Sequence, residues 1–187
     1  MAILRLLPPA IAALLIASAA CATQVLRLDT RELARSSSDI VIGTVDSTRS
    51  YWNAEHTRIL TDITVVVSET LKGPGPSRLT LTQVGGEVDG MRLSVAGTAV
   101  FMSGEEALLF VWRDAKGRAQ VNGLAQGKFE IQRDPQGGER VVTRRIDGLA
   151  LRDPRTLRAV QPAERAGRVR LDDLKREIRQ ALEEDGR

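Results

Sequence analysis

Ile59-Leu60-Thr61-Asp62-Ile63-Thr64-Val65-Val66-Val67-Ser68-Glu69-Thr70-Leu71-Lys72-Gly73 is the longest uninterrupted β pattern in the chain. Successive side chains on a strand point to opposite faces. Ile59, Ile63, Val65 and Val67 therefore share one face, and Asp62, Thr64 and Ser68 share the other. The first face is suited to a core and the second to water. The polar face is too small in its side chains to carry chemistry. Lys72-Gly73-Pro74-Gly75-Pro76 ends the strand in a firm turn.

On the N-terminal side, Ser38-Asp39-Ile40-Val41-Ile42-Gly43-Thr44-Val45 is rich in β-branched aliphatics and predicts a strand buried on both faces. Gly43 marks a bulge or bend within it. Before it, Leu28 to Leu33 predicts a short helix. Asp29 caps it, Glu32 completes a capping box, and Leu28 and Leu33 occupy the staple positions. Ser36-Ser37-Ser38 ends this helix, whose expected role is to plug one end of a barrel. Between the two strands, Ser47 to Thr57 is polar and loop-like, yet holds Tyr51, Trp52, Asn53 and His56.

On the C-terminal side, Leu79 to Thr82 alternates again. Gly85, Gly86 and Gly90 bracket a flexible stretch, and Leu93 and Val95 mark a short strand. Ala107 to Trp112 is a continuous apolar run of central-strand length. Asp114 to Gly117 turns the chain into Ala119-Gln120-Val121. Phe129 and Ile131 alternate with polar neighbours, and Asp134 to Gly138 leads into Val141-Val142. Strands separated by turn signals, with almost no helix between them, predict an antiparallel sheet closed on itself.

The chain beyond the strands divides in two. Residues 144–170 hold eight Arg against three acids, with Pro154 and Pro162, and have poor periodicity. They predict a basic, loosely structured connector. Residues 171–187 predict an amphipathic helix, capped by Asp172, with Leu174, Ile178, Ala181 and Leu182 on one stripe. The spacing also offers i, i+4 pairs between Asp172 and Arg176 and between Arg179 and Glu183.

The N-terminal 22 residues set the compartment. Arg5 precedes an apolar run from Leu6 through Ala17, followed by small residues, which is the grammar of a secretory signal peptide. The run is short for a transmembrane span. The preferred cleavage site follows Ala20-Cys21-Ala22 and leaves Thr23 first. The alternatives are cleavage that leaves Cys21 first, and lipidation of Cys21. The expected location is secreted or periplasmic, or lipid-anchored to the outer cell envelope.

Composition narrows the function classes. The 187 residues suit one domain with a real core. Only 3% of residues are aromatic, so that core is aliphatic. The net charge of +3 is mild, and the basic residues divide as 23 Arg and 4 Lys. That ratio fits GC-rich codons, with phosphate contact as the functional alternative. Cys21 is the only cysteine, so the chain forms no disulfide within itself and no thiolate metal cage. His56 is the only histidine. No Gly-x-Ser-x-Gly elbow or Walker loop occurs. No catalytic residue, cofactor or metal ligand is therefore expected, and export argues against a nucleic-acid partner. The aromatic pair Tyr51 and Trp52, with Asn53 and His56, is the candidate partner contact.

A short capped helix, then Ser38-Asp39-Ile40-Val41-Ile42, then a long strand ending in Leu71-Lys72-Gly73, resembles the netrin-like module. The tissue inhibitors of metalloproteinases are its best-known members. The resemblance covers residues 21–110 in order of elements, and only these two motifs in letters. It implies an OB-like five-stranded barrel flanked by helices. It also implies an N-terminal cysteine, here Cys21, that grips a target protease's zinc through its α-amine and carbonyl. The chain departs from the family in lacking its disulfides. The fold expected is thus mainly β, an OB-like antiparallel barrel over residues 23–143 with a short N-terminal and a C-terminal helix. The function expected is a non-enzymatic binding module, a regulator or accessory of an extracellular metalloprotease. A structural or carbohydrate-associated protein of the cell envelope is the alternative.

Overall fold

In the computed structural model, residues 23–160 and 168–186 are described. The expected signal peptide, its expected cleavage residue Ala22, and Cys21 lie outside these residues. In chain order the strands are β1 (Thr23–Leu26), β2 (Asp39–Trp52), β3 (Ile59–Lys72), β4 (Arg78–Val84), β5 (Gly86–Val88), β6 (Met91–Leu93), β7 (Glu106–Arg113), β8 (Ala119–Val121), β9 (Lys128–Arg133), β10 (Arg140–Thr143), β11 (Leu149–Arg152), β12 (Ala159–Val160) and β13 (Val169–Arg170). Helix α1 (Thr30–Ser36) follows β1, helix α2 (Leu171–Asp185) ends the fold, and a single 3-10 turn spans Leu124–Gly127.

Strands β2, β3, β4, β8 and β7 follow one another around a closed barrel, with β7 returning to β2. All these neighbours are antiparallel except β4 and β8, which meet in parallel at Leu81 and Ala119. This is an OB-like barrel. The alternation read in the sequence sets its wall. Ile63 and Val65 of β3 point inward with Val41, Val45, Leu79, Leu81, Leu109 and Val111. The outward residues of β2 and β7, Ile40, Ile42, Leu108 and Phe110, enter a second core with Leu33, Phe129, Val142 and Ile178. Strand β2 is therefore buried on both faces over its first half, as its β-branched run predicts.

Strand β7 is where the sheet forks. Its residues Glu106–Leu109 pair with β9, and Val111–Arg113 pair with β8. The carbonyl of Phe110, at the fork, accepts the Asn122 N–H at 2.8 Å. Gly127 stands there because a Cβ would meet the Asn122 oxygen at 2.3 Å and the Phe110 oxygen at 3.1 Å. The β9 branch continues through β10 to β13, and β10 and β13 meet helix α2.

Helix α1 has the capping box expected: Asp29 accepts from Glu32 N–H, and Glu32 accepts from Asp29 N–H, both at 2.8 Å. It does not plug a barrel end. Leu33 and Ala34 pack on the outer wall of β2 and β7, because the apolar outer faces of those strands need cover. Lys72 Nζ donates to the carbonyls of Ala34 and Arg35, at 2.8 and 3.1 Å, and so satisfies the helix end. Helix α2 buries Leu171, Leu174, Ile178 and Ala181 in the same core. Each of the three large ones, Leu171, Leu174 and Ile178, stabilises the fold by about 1.5–3 kcal/mol. Lys175 ties α2 to Glu69 of β3 at 2.7 Å.

Several finer expectations are corrected. Asp172 is not the cap of α2. The cap position falls two residues earlier, on Arg170, and Asp172 and Asp173 lie in the first turn, where negative charge favours the helix dipole. Arg176 pairs with Asp173 rather than Asp172. The polar segment from Ser47 is not loop but the second half of β2, carried through Trp52 by backbone pairing to Thr64–Ile59. Gly85 to Gly90 leads into a small hairpin of β5 and β6.

The described part of the basic connector holds strands rather than loose chain. Its Leu149 and Leu151, in β11, are buried beside Ala99 and Ala125. β11 pairs in parallel with β1 over all four residues, and β12 adds to its other side. Local polarity hid these strands, since only two of the four β11 side chains face inward. The buried Gln126 side chain accepts from Leu28 N–H at 2.8 Å and donates to the Leu26 carbonyl at 3.0 Å, standing in for a neighbouring strand along β1. Among the described residues no helix is long and apolar enough to cross a membrane.

Candidate binding tip

Beyond Thr44, where its pairing with β7 ends, β2 continues with β3 as a hairpin ribbon that β4 extends on the β3 side, Leu60–Val66 lying against Val84–Arg78. A register shift between Val45 and Ser47 sets its final pairing, Ser47 to Trp52 against Thr64 to Ile59. Residues directly opposite one another share a face. Trp52 lies opposite Ile59, and Tyr51 opposite Leu60, so the two aromatics point to different faces of the ribbon.

Tyr51 closes a polar network. Its hydroxyl donates to Asp62 Oδ1 at 3.1 Å, and Thr82 Oγ1 donates to the same oxygen at 2.7 Å. Burial, reinforced by the Asp62 charge and hydrogen bond, pushes the phenol above its usual range. The hydroxyl is thus engaged within the barrel wall. Asp62 and Thr82 are the network members that sequence reasoning passed over; the strand alternation placed Asp62 outward but not against Tyr51.

Trp52 and His56 come together at the tip. Their ring centroids are 6.0 Å apart and their planes differ by 24°. Trp52 is half-buried and His56 is exposed. His56 has a left-handed φ of 52°, which folds its ring back over the strand end.

Asn53 builds the turn rather than presenting itself. Its Oδ1 accepts the N–H groups of Thr57 and Arg58 at 2.8 and 2.9 Å. Its Nδ2 donates to Glu55 and Thr57, at 2.7 and 3.0 Å. The backbone adds Asn53 N–H to the Arg58 carbonyl and His56 N–H to the Asn53 carbonyl, both at 2.9 Å. A side chain with this many local bonds is a scaffold, as Asn commonly is in turns. The result is a locked six-residue connection carrying one stacked aromatic pair.

At the first described residue, Thr23 is held in the small sheet. Its N–H reaches the Gly148 carbonyl at 3.2 Å and its hydroxyl the Ala96 carbonyl at 2.7 Å. Among the described residues no three His, Cys, Asp or Glu side chains form a metal-holding group. Comparison of the chain with protein-family models, curated proteins and solved structures finds no match.

Proposed function

We propose that the protein is an exported, non-enzymatic binding module that docks an extracellular protein on its Trp52–His56 tip. The observation that carries it is the stacked pair on a ribbon tip whose backbone Asn53 holds rigid. Aromatic anchors held in their bound conformation lose little entropy on association. An extracellular metalloprotease is the partner the netrin-like resemblance suggests. The parallel pairing of β1 with β11 supports it, because this sheet holds the chain two residues after Cys21 without any disulfide.

Two measurements test the proposal. Intact mass of the exported protein identifies its N-terminus. A free Cys21 favours grip on a protease zinc. A lipidated Cys21 favours the envelope-anchored structural or carbohydrate-associated role, and Thr23 first removes zinc chelation by Cys21. Trp52→Ala should weaken binding to a secreted metalloprotease at least about tenfold while the melting temperature holds. A large fall in melting temperature with binding intact would place Trp52 in the core and end the tip proposal.

A further inference from the structure

Residues 100–102 form a rigid apolar ledge on the loop that enters β7. Phe101 turns inward and packs against both the barrel core and the core under β11. Its neighbours turn outward: Val100 is 76% exposed and Met102 53%. Lys128, at the start of β9, pins the loop from beneath. Its ammonium donates to the Val100 carbonyl, sits 2.5 Å from Glu105 Oε1, and lies 4.6 Å from the Phe101 ring centre. Both members of that ion pair are nearly buried, with side chains 11% and 8% exposed. Two large apolar side chains are therefore held out to solvent on a loop that is fixed in place.

Beside the ledge lies a pocket of about 150 Å³, lined by Ala99, Ala125, Thr98, Thr143, Val100 and Met102 among others. This is well below the few hundred Å³ of ordinary small-molecule sites, and matches one aliphatic side chain. Its charged wall is nearly self-neutralised. Lys128 pairs with Glu105, and Arg145 pairs with Glu130 at 3.2 Å. Asp147, also on the wall, makes no ion pair among the described residues and is exposed. An occupant is thus favoured by an aliphatic group in the pocket and a positive charge at its rim.

We propose that this pocket receives one leucine or methionine side chain of an extended protein segment, with a lysine or arginine beside it at Asp147. The pocket shares no residue with the Trp52–His56 tip, so the two proposals stand or fall separately. Met102 gives the lip an adaptable, unbranched side chain suited to accepting either aliphatic shape.

The test uses the full chain, expressed with its own leader and purified as the cell processes it. The probes are acetylated, amidated hexapeptides Gly-Gly-Leu-Lys-Gly-Gly, with Met, Ala or Asp replacing Leu, and Gly replacing Lys. Methyl resonances of Ala99, Ala125 and Met102 report binding. The Leu and Met peptides should give saturable shifts at these methyls. The Ala peptide should bind about tenfold more weakly, and the Asp peptide not at all. Asp147→Asn should erase the advantage of Lys over Gly. Met102→Glu, at an exposed position, should abolish the shifts, as should Ala99→Met by filling the pocket. Absence of saturation with every peptide overturns the proposal, and so do shifts that persist in Met102→Glu or map elsewhere.

Discussion

Tyr51 is the single tyrosine of the chain, so absorbance at the phenolate band reports its titration alone. Burial and Asp62 raise its folded pKa. A raised phenol pKa means that folding favours the protonated form. The stabilisation is fully present below the unfolded value of about 10 and is lost as pH rises through the folded value. We expect the folded midpoint to lie above that of a free tyrosine amide, and Asp62→Asn to bring it down. A midpoint equal to the free amide's would mean that the Tyr51–Asp62 bond does not persist in solution. Asp39 is the second residue whose role is decided by its surroundings. It is 1% exposed and accepts from Arg113 Nε at 3.2 Å and Ser38 Oγ at 2.8 Å. Asp39→Ala should lower stability by about 2 kcal/mol in urea unfolding. Arg113 can still reach water, which keeps the loss below that of a fully buried pair. The Ser38-Asp39 motif was legible in the sequence as a strand start, but its partner was not, because Arg113 is 74 positions away.

At the scale of elements, β2 does two jobs along one strand. Its first half separates the barrel core from the helix core, and its second half carries the tip. Gly43 is where the change becomes feasible. A register shift falls between Ile42 and Gly43. A Cβ there would meet the Val66 carbonyl oxygen at 2.5 Å and Val65 Cγ1 at 2.6 Å. We expect Gly43→Ala to cost about 2–3 kcal/mol, read as a shift of the urea midpoint at unchanged slope. Gly137→Ala, with its nearest neighbouring atom at 4.0 Å, should be close to neutral and serves as the control. Equal effects at the two sites would contradict the close packing of β2 on β3. The bulge at Gly43 was readable from a glycine inside a β-branched run. The extension of β2 through Ser47 to Trp52 was not, since polar residues on both faces look like loop until a partner strand supplies their backbone bonds.

Across the whole molecule, stability is layered. Strands β2 and β7 lie between two cores, whereas β1, β11 and β12 cover a smaller third one. Native-state hydrogen exchange should therefore be slowest at Ile40–Ile42 and Leu108–Phe110, and faster by at least about tenfold at the β1–β11 amides. Exchange at β1 as slow as at β2 would show instead that the small sheet unfolds only with the barrel.

The sequence by itself determined the strands whose side chains repeat with period two, the doubly buried runs of β2 and β7, the capping box at Asp29 and Glu32, and the hairpin turns. Each is a local pattern, set by neighbours a few residues apart. Tertiary structure alone decided the parallel closure at Leu81 and Ala119, the fork of β7, the union of β1 with β11, and the pocket under Val100 and Met102. Those features join short segments distant in the chain. A strand of two to four residues carries too little periodicity to show itself before its partner is in place.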